Sequence, residues 1–219
     1  MFLTRFQINP ARRGAVKLLG SPQAMHAAIL AGFPPDQEQP CGRVLWRADR
    51  SGHRVALYVV SPDKPDFTHL VEQAGWPTTE AWATRGYDEL LASLRDAQTW
   101  GFRLTANPTR STRLVDGGRS QRLGHVTAAQ QRQWLLDRAA SWGMELVEDQ
   151  GVSQVVVSSR EMISFRRGAD RVTLSRATFD GRLIVTDVDR LRHALTAGIG
   201  PAKAYGCGLM TLAPVAGGG

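Results

Sequence analysis

Apolar residues alternate with polar ones near both ends of the chain, and between them they recur at three- and four-residue steps. The two periods predict a mixed order of strands and helices. The opening MFLTRFQINP alternates and stops at Pro10, which predicts a short strand, and a loop is expected from there to Gly20. Ser21 then suits an N-cap with Pro22 at the first helical position. Met25, Ala28 and Ile29 fall on one face before Gly32 and Pro34 end that helix. Segments 43–48 and 54–60 flank Asp49-Arg50-Ser51-Gly52 and read as a hairpin. The stretch 61–84, broken by Pro62, Pro65 and Pro77, reads as irregular, with a short helix over 87–93.

The second half starts similarly, with an alternating run over 99–108 that ends on a proline. The polar stretch 109–124, with Gly117-Gly118 at its centre, reads as a flexible basic loop. Thr127 followed by Gln130 is a capping box, and the helix it opens carries Trp134, Leu135, Arg138 and Trp142 at helical steps, as core anchors rather than base-stacking platforms. Strands are expected at 155–157, 162–165, 171–179 and 182–187, with Asp180-Gly181 turning between the last two. A helix over 188–196 leads through a glycine-rich loop to a final strand at 209–213. Each half therefore reads strand, helix, strands, helix, strand. The expected fold is α+β: tandem ferredoxin-like (RRM-like) domains with antiparallel sheets, one over 1–95 and one over 96–219.

At 219 residues, 42% hydrophobic and 21% charged, the composition is that of a globular chain. Cys41 and Cys207 cannot build a disulfide framework and form no C-x-x-C pair, so no zinc site is expected and a reduced, cytoplasmic setting is. Arg5, Arg12 and Arg13 interrupt the N-terminal region where a signal peptide needs an apolar run, and no membrane segment is expected. Charge adds a functional clue. The 27 basic residues exceed the 20 acidic ones for a net +7, which suits a polyanionic partner. Arginine supplies 24 of the 27, a bias that a GC-rich genome would also produce. Position is more telling: residues 1–98 carry 11 basic and 10 acidic side chains, net +1, whereas residues 99–219 carry 16 and 10, net +6.

The chain has no G-x-x-x-x-G-K-[ST], G-x-S-x-G or H-E-x-x-H signature. Asp187 and Asp189 read as capping residues, which disfavours two-metal nuclease chemistry. What remains for a basic protein acting on a polyanion is metal-free RNA cleavage, in which the 2′-OH of the substrate attacks its own phosphate, and no cofactor is expected. His, Arg and Lys suffice for it. His26 lies in the first turns of a helix whose N-terminus favours a phosphate, although its spacing beside Met25 and Ile29 equally describes a histidine at the core edge. In GIGPAKAYGCG, glycines 198, 200, 206 and 208 permit close backbone approach and Lys203 can reach a phosphate; a tight helix-to-strand connection explains the same glycines. Two arginine clusters complete the candidates: Arg103, Arg110, Arg113, Arg119 and Arg122, and then Arg160, Arg166, Arg167, Arg171 and Arg176.

These motifs carry a family resemblance. MFLTRFQINP, the Met25-His26 pair, FRLTANPTR at 102–110, FDGRLIVTD at 179–187 and GIGPAKAYGCGLMTLAP at 198–214 together resemble CasE, the CRISPR repeat-processing endoribonuclease of the subtype I-E (Cascade) effector complex. The resemblance implies tandem ferredoxin-like domains, metal-independent cleavage at the base of a repeat hairpin, a 2′,3′-cyclic phosphate with a 5′-OH, and retention of the cleaved RNA with the other Cascade subunits. It implies the catalytic histidine at His26 and the family's glycine-rich loop at 198–208, with Gly200 and Lys203 in it; we expect His26 as general acid, Arg166 or Arg167 and Lys203 near the scissile phosphate, and the 103–122 stretch gripping the RNA stem. The family commonly has Tyr three residues before the histidine; this chain has Gln23, which cannot act as a base but can position the 2′-OH. Tyr205 is a candidate for the proton. A non-catalytic RNA-hairpin-binding subunit is the alternative expectation.

Overall fold

The computed structural model describes residues 1–34, 43–76, 82–112, 121–168 and 170–215, the side chains of 111, 112 and 121–123 apart. The chain runs through β1 (Phe2–Ile8), α1 (Arg13–Gly20), α2 (Pro22–Leu30), β2 (Leu45–Ser51), β3 (Arg54–Ser61), α3 (Thr68–Ala74), β4 (Trp82–Gly86) and α4 (Asp88–Ser93). Four of these strands form an antiparallel sheet in the order β2-β3-β1-β4, which is the strand order of a ferredoxin-like unit. Alternation of β1 decides its faces: Phe6 and Ile8 are buried against α1, α2 and α3, together with Met25, Ile29, Leu57 and Phe67.

The second sheet repeats the plan. Its sequence is β5 (Thr99–Ala106), a small hairpin of β6 (Thr109–Thr112) and β7 (Gln121–Gly124), α5 (Ala128–Leu136), β8 (Met144–Leu146), the two-residue strands β9 (Glu148–Asp149) and β10 (Val152–Ser153), β11 (Val156–Arg167), β12 (Asp170–Val185), α6 (Val188–Ala197) and β13 (Met210–Pro214). The order β11-β12-β5-β13 is again ferredoxin-like and antiparallel, with β8 added beside β12. The expected capping box is formed: the Thr127 side chain accepts from Gln130 N while the Gln130 side chain accepts from Thr127 N. Trp134 is buried and stacks on Phe179, so the tryptophan is a core anchor. One apolar core joins the halves, since Leu45 and Val60 of the first sheet cluster with Leu104, Ile199 and Leu209 of the second half. Among the described residues no helix is long and apolar enough to cross a membrane.

Several sequence expectations fail here for definite reasons. The loop expected before Gly20 is the helix α1, which lacks a side-chain cap at Arg12. It is held instead by neighbours: the Arg12 guanidinium donates to the carbonyls of Val71 and Gly75 at the end of α3. Within 61–84 the described residues include α3 and the start of β4 where irregular chain was expected. The first hairpin turns at Gly52-His53, since Ser51 pairs with Arg54 and Gly52 has φ +58°, so Asp49 and Arg50 stay in the strand. The 109–124 stretch, expected to be a loop, has strands at both ends. Asp180-Gly181 is not a turn: β12 continues through it, with Asp180 opposite Arg103 and Gly181 opposite Phe102. A Cβ at Gly181 would meet the Phe102 ring at 3.0 Å, so this glycine serves close packing.

Candidate functional site

Ser21 caps α2 by accepting a hydrogen bond from Ala24 N, and Pro22 sets the first turn. Burial of Met25 and Ile29 fixes which way the helix faces, leaving Gln23 exposed and His26, three residues on, half-buried beside it. The Trp46 indole on β2 donates to His26 Nδ1 at 3.3 Å. Burial pushes the His26 pKa below its ordinary value.

The glycine-rich loop comes to this helix from the other half. Its short 3₁₀ turn, Lys203–Tyr205, packs on α2. Gly198, Gly200, Gly206 and Gly208 all take positive φ. A Cβ on Gly198 would lie 2.6 Å from Leu45, and one on Gly206 would lie 2.7 Å from the Trp46 ring. Gly200 lies against the Trp134 indole. The loop also closes on itself and on β5, through Ile199 N to Gly208 O at 2.9 Å and Gly208 N to Thr105 O at 2.6 Å. The glycines are thus required sterically for the loop to sit against β2. The Lys203 ammonium donates to Ala197 O at 2.7 Å. Burial, and then the charge of Arg43, lower its pKa.

Tyr205 links the loop to the arginine strands, because its ring meets the buried Phe165 ring edge-on at 4.7 Å. Phe165 lies near the end of β11, one residue from Arg166 and two from Arg167, which pair with Arg171 and Asp170 across the hairpin. Arg166 and Arg167 are exposed, and neither makes an ion pair with a described residue. A register shift between Val157 and Ser159 bends the same strand. Ser158 and Ser159 there line a cleft of about 380 Å³, whose wall also includes Met25, Trp46, Arg103 and Gly206.

The first arginine cluster is less uniform. Arg103 clamps Asp180 with Nε at 2.6 Å and Nη2 at 3.0 Å, and its Nη1 lies 3.6 Å from Asp49 of the other sheet. Arg110 is exposed at the β6 end. The Arg122 backbone lies in β7, and Arg113 and Arg119 lie outside the described residues. The structure therefore brings Gln23, His26, Lys203 and Tyr205 onto elements that touch, with Gly200 in the same loop, and places Arg166 and Arg167 next along β11 from the Phe165 that Tyr205 meets. Arg103 lines the same cleft but is engaged in a salt-bridge network with Asp180 and Asp49. Among the described residues no three His, Cys, Asp or Glu side chains form a set able to hold a metal ion.

Sequence reasoning missed Trp46, Arg47 and Arg43. Arg47 is 2% exposed, on β2 between Ala48 and the buried Trp46. An arginine inside RVLWRA was the available signal, because a buried charge demands partners.

The Asp180 carboxyl gives a pH prediction. Burial raises its pKa, but hydrogen bonds from Arg103 and Ser158 and the charges of Arg103 and Arg47 outweigh this and leave it below its ordinary 3.8. A carboxyl depressed in the fold adds stability that is present above the ordinary value and lost as pH falls through the folded one. Urea unfolding from pH 7 to pH 2.5 is expected to show wild type losing stability below about pH 4. Asp180→Asn should be weaker at pH 7 and lose less on acidification; equal slopes would show that this carboxylate carries no part of the acid response.

Paired ferredoxin-like sheets, a helix-borne imidazole against a glycine-rich loop, and an arginine hairpin tied to that loop set the class. A family model described as CRISPR associated protein matches residues 1–214, and the chain belongs to that family. Within it, the chain is 29% identical over 228 residues to the CRISPR-associated endoribonuclease Cse3 of Thermus thermophilus, covering 98% of this chain and 100% of that protein. It is 31% identical over 168 residues to the CRISPR system Cascade subunit CasE of Escherichia coli, covering 73% of this chain and 81% of the relative. The CasE resemblance read from the motifs is borne out. A solved structure of CRISPR endoribonuclease Cse3 bound to a 19-nucleotide RNA superposes with a TM-score of 0.82 at 29% identity, over 98% of this chain and 100% of that one.

Proposed function

We propose that this chain is a metal-independent endoribonuclease of the cytoplasm. It cuts CRISPR precursor RNA at the base of the repeat hairpin and keeps the processed RNA within a Cascade-type effector complex. The observation that carries this reading is the seating of α2, with His26 half-buried on it, against the glycine-rich loop that Tyr205 ties to the arginine hairpin. The relatives support it, one named an endoribonuclease and the other a Cascade subunit.

In the reaction the 2′-OH attacks the adjacent phosphorus and the 5′ oxygen leaves, giving a 2′,3′-cyclic phosphate and a 5′-OH. His26 donates toward the leaving oxygen, Gln23 orients the 2′-OH, and Lys203 with Arg166 and Arg167 offsets charge on the phosphate. An RNA stem has a deep groove that side chains cannot read, so Arg110 and the neighbouring cationic stretch, with Arg113, Arg119 and Arg122, hold its backbone and shape. Residues 1–95 carry the histidine and residues 96–219 most of the cationic surface.

Repeat RNA incubated in chelator is expected to be cut once, leaving a cyclic phosphate at the new 3′ end. A single 2′-deoxy at the scissile nucleotide should block cutting completely, and a deoxy substrate that is still cleaved would refute the mechanism. The exposed Gln23, where the family commonly has Tyr, favours one other reading: a subunit that binds the hairpin without cutting it. RNA bound tightly and recovered intact would select that reading.

A further inference from the structure

The partner of His26 can act in one direction only. An indole N–H is a donor with no acceptor capacity, and that of Trp46 points at His26 Nδ1 from 3.3 Å. Nδ1 must therefore offer its lone pair, and in the neutral ring the proton sits on Nε2. Trp46 is 2% exposed, and the positive-φ backbone of Gly206 presses on its ring. The indole is thus fixed from one side by the loop and hydrogen-bonded to the imidazole on the other.

Burial alone lowers the His26 pKa, with no contribution from the charged groups around α2, Arg43 and Tyr205 by the loop included. Arg13 and Lys17 belong to α1. On β2, Arg47 and Asp49 satisfy each other. His69 Nε2 on α3 meets Ala28 O at 2.8 Å, and Lys203 is turned to Ala197 O. Burial favours the neutral ring in the same sense as the indole bond.

We infer that Trp46 is a positioning residue: by occupying Nδ1 it turns the Nε2–H of His26 to the RNA, so that the ring serves as a neutral hydrogen-bond donor to the departing 5′ oxygen. The inference rests on the cleavage reaction proposed above and specifies how His26 works in it. The bond from the 2′ oxygen to phosphorus forms and the bond from phosphorus to the 5′ oxygen breaks. Water takes the 2′-hydroxyl proton, and water supplies the proton that the departing oxygen keeps. The imidazole proton stays on Nε2, where it stabilises the charge growing on that oxygen. An imidazolium would set an Nδ1–H against the indole N–H, two donors facing each other, and the bond would be lost.

Histidine-selective ¹⁵N NMR of the whole protein reads the ring state directly, with the His26 signals assigned by their loss in His26→Ala. Nε2 protonated and Nδ1 bare is the expected result at neutral pH, and a proton on Nδ1 overturns the inference. Trp46→Phe keeps an aromatic ring against Gly206 but removes the donor. In the folded variant the two tautomers should mix, the His26 pKa should rise, and single-turnover cleavage should slow by about tenfold to a hundredfold. An unchanged tautomer and pKa would overturn the inference.

In wild type the cleavage rate should not fall as pH rises past the His26 pKa measured in the same spectra. A falling limb there would reveal an imidazolium acid and overturn the neutral-donor role. Failure of the underlying reaction looks different: a His26→Ala protein that cleaves at the wild-type rate removes the histidine from the chemistry while leaving the wild-type spectrum as described.

Discussion

Replacing His26 by Ala is expected to slow cleavage of repeat RNA by about 10²–10⁴-fold, the range for a single acid-base or charge-stabilising group, while hairpin binding stays close to wild type. The two effects separate because the imidazole acts on charge that exists only as the 5′ oxygen departs, whereas the exposed arginines act on phosphates present throughout. Met25 and Ile29, both buried, anchor α2 in the core, so truncating the half-buried ring beside them leaves the packing of that helix largely in place. Single-turnover cleavage and filter binding on the same preparations check this. A variant that cuts nearly as fast as wild type moves the chemistry away from α2, and one that has also lost binding makes His26 part of the grip.

The largest stability loss is expected at Arg47→Met. All five N–H donors of this buried guanidinium are used: two on Asp49 at 2.7 and 2.9 Å, two on the carbonyls of Arg103 and Leu209 at 2.8 and 3.1 Å, and one on Thr211 Oγ1 at 2.9 Å. Arg47 and Asp49 lie in the first sheet, whereas Arg103, Leu209 and Thr211 belong to the second half, so one side chain fastens the two together. Its removal strands two carbonyls and leaves the Asp49 carboxylate only Arg103, at 3.6 Å, at a cost of about 3–5 kcal/mol, or a fall of about 6–20 °C in Tm for a chain of this size. Combining Arg47→Met with Asp49→Leu should cost less than the two single changes added, because the orphaned carboxylate goes with its partner. A drop in Tm of under about 2 °C for Arg47→Met would mean that the apolar core alone joins the halves.

The parts of the fold legible in the sequence are those whose cause is local. The Ser21-Pro22 start of α2, the capping box at Thr127 and the alternation of β1 each hold their own instructions within a few residues, and each is as expected. The helix α1 was illegible because its support is remote. Gly14 lies tightly against the backbone of Gln73, and Arg12 reaches the end of α3, so eight residues without a cap become helical through tertiary contact. Asp180-Gly181 misled in the opposite way. The pair has the chemistry of a hairpin turn, but Arg103 claims the aspartate and the Phe102 ring claims the space at the glycine, both from the neighbouring strand.

The candidate site divides along the same line. His26 and the glycine-rich loop were visible as motifs, whereas Trp46 was not, since nothing in 43–48 reveals that its indole reaches a ring twenty residues earlier. Arg103 looked like one more cation for RNA until the two carboxylates around it were in place.

The seating of the loop on α2 has a consequence for how the protein is made. The helix, Pro22–Leu30, leaves the ribosome long before its floor, residues 198–208. Between those two points a nascent chain carries the imidazole with nothing beneath it. A chain that stops short of residue 208 cannot assemble the pocket, so on this reading copies of that length should not cut RNA.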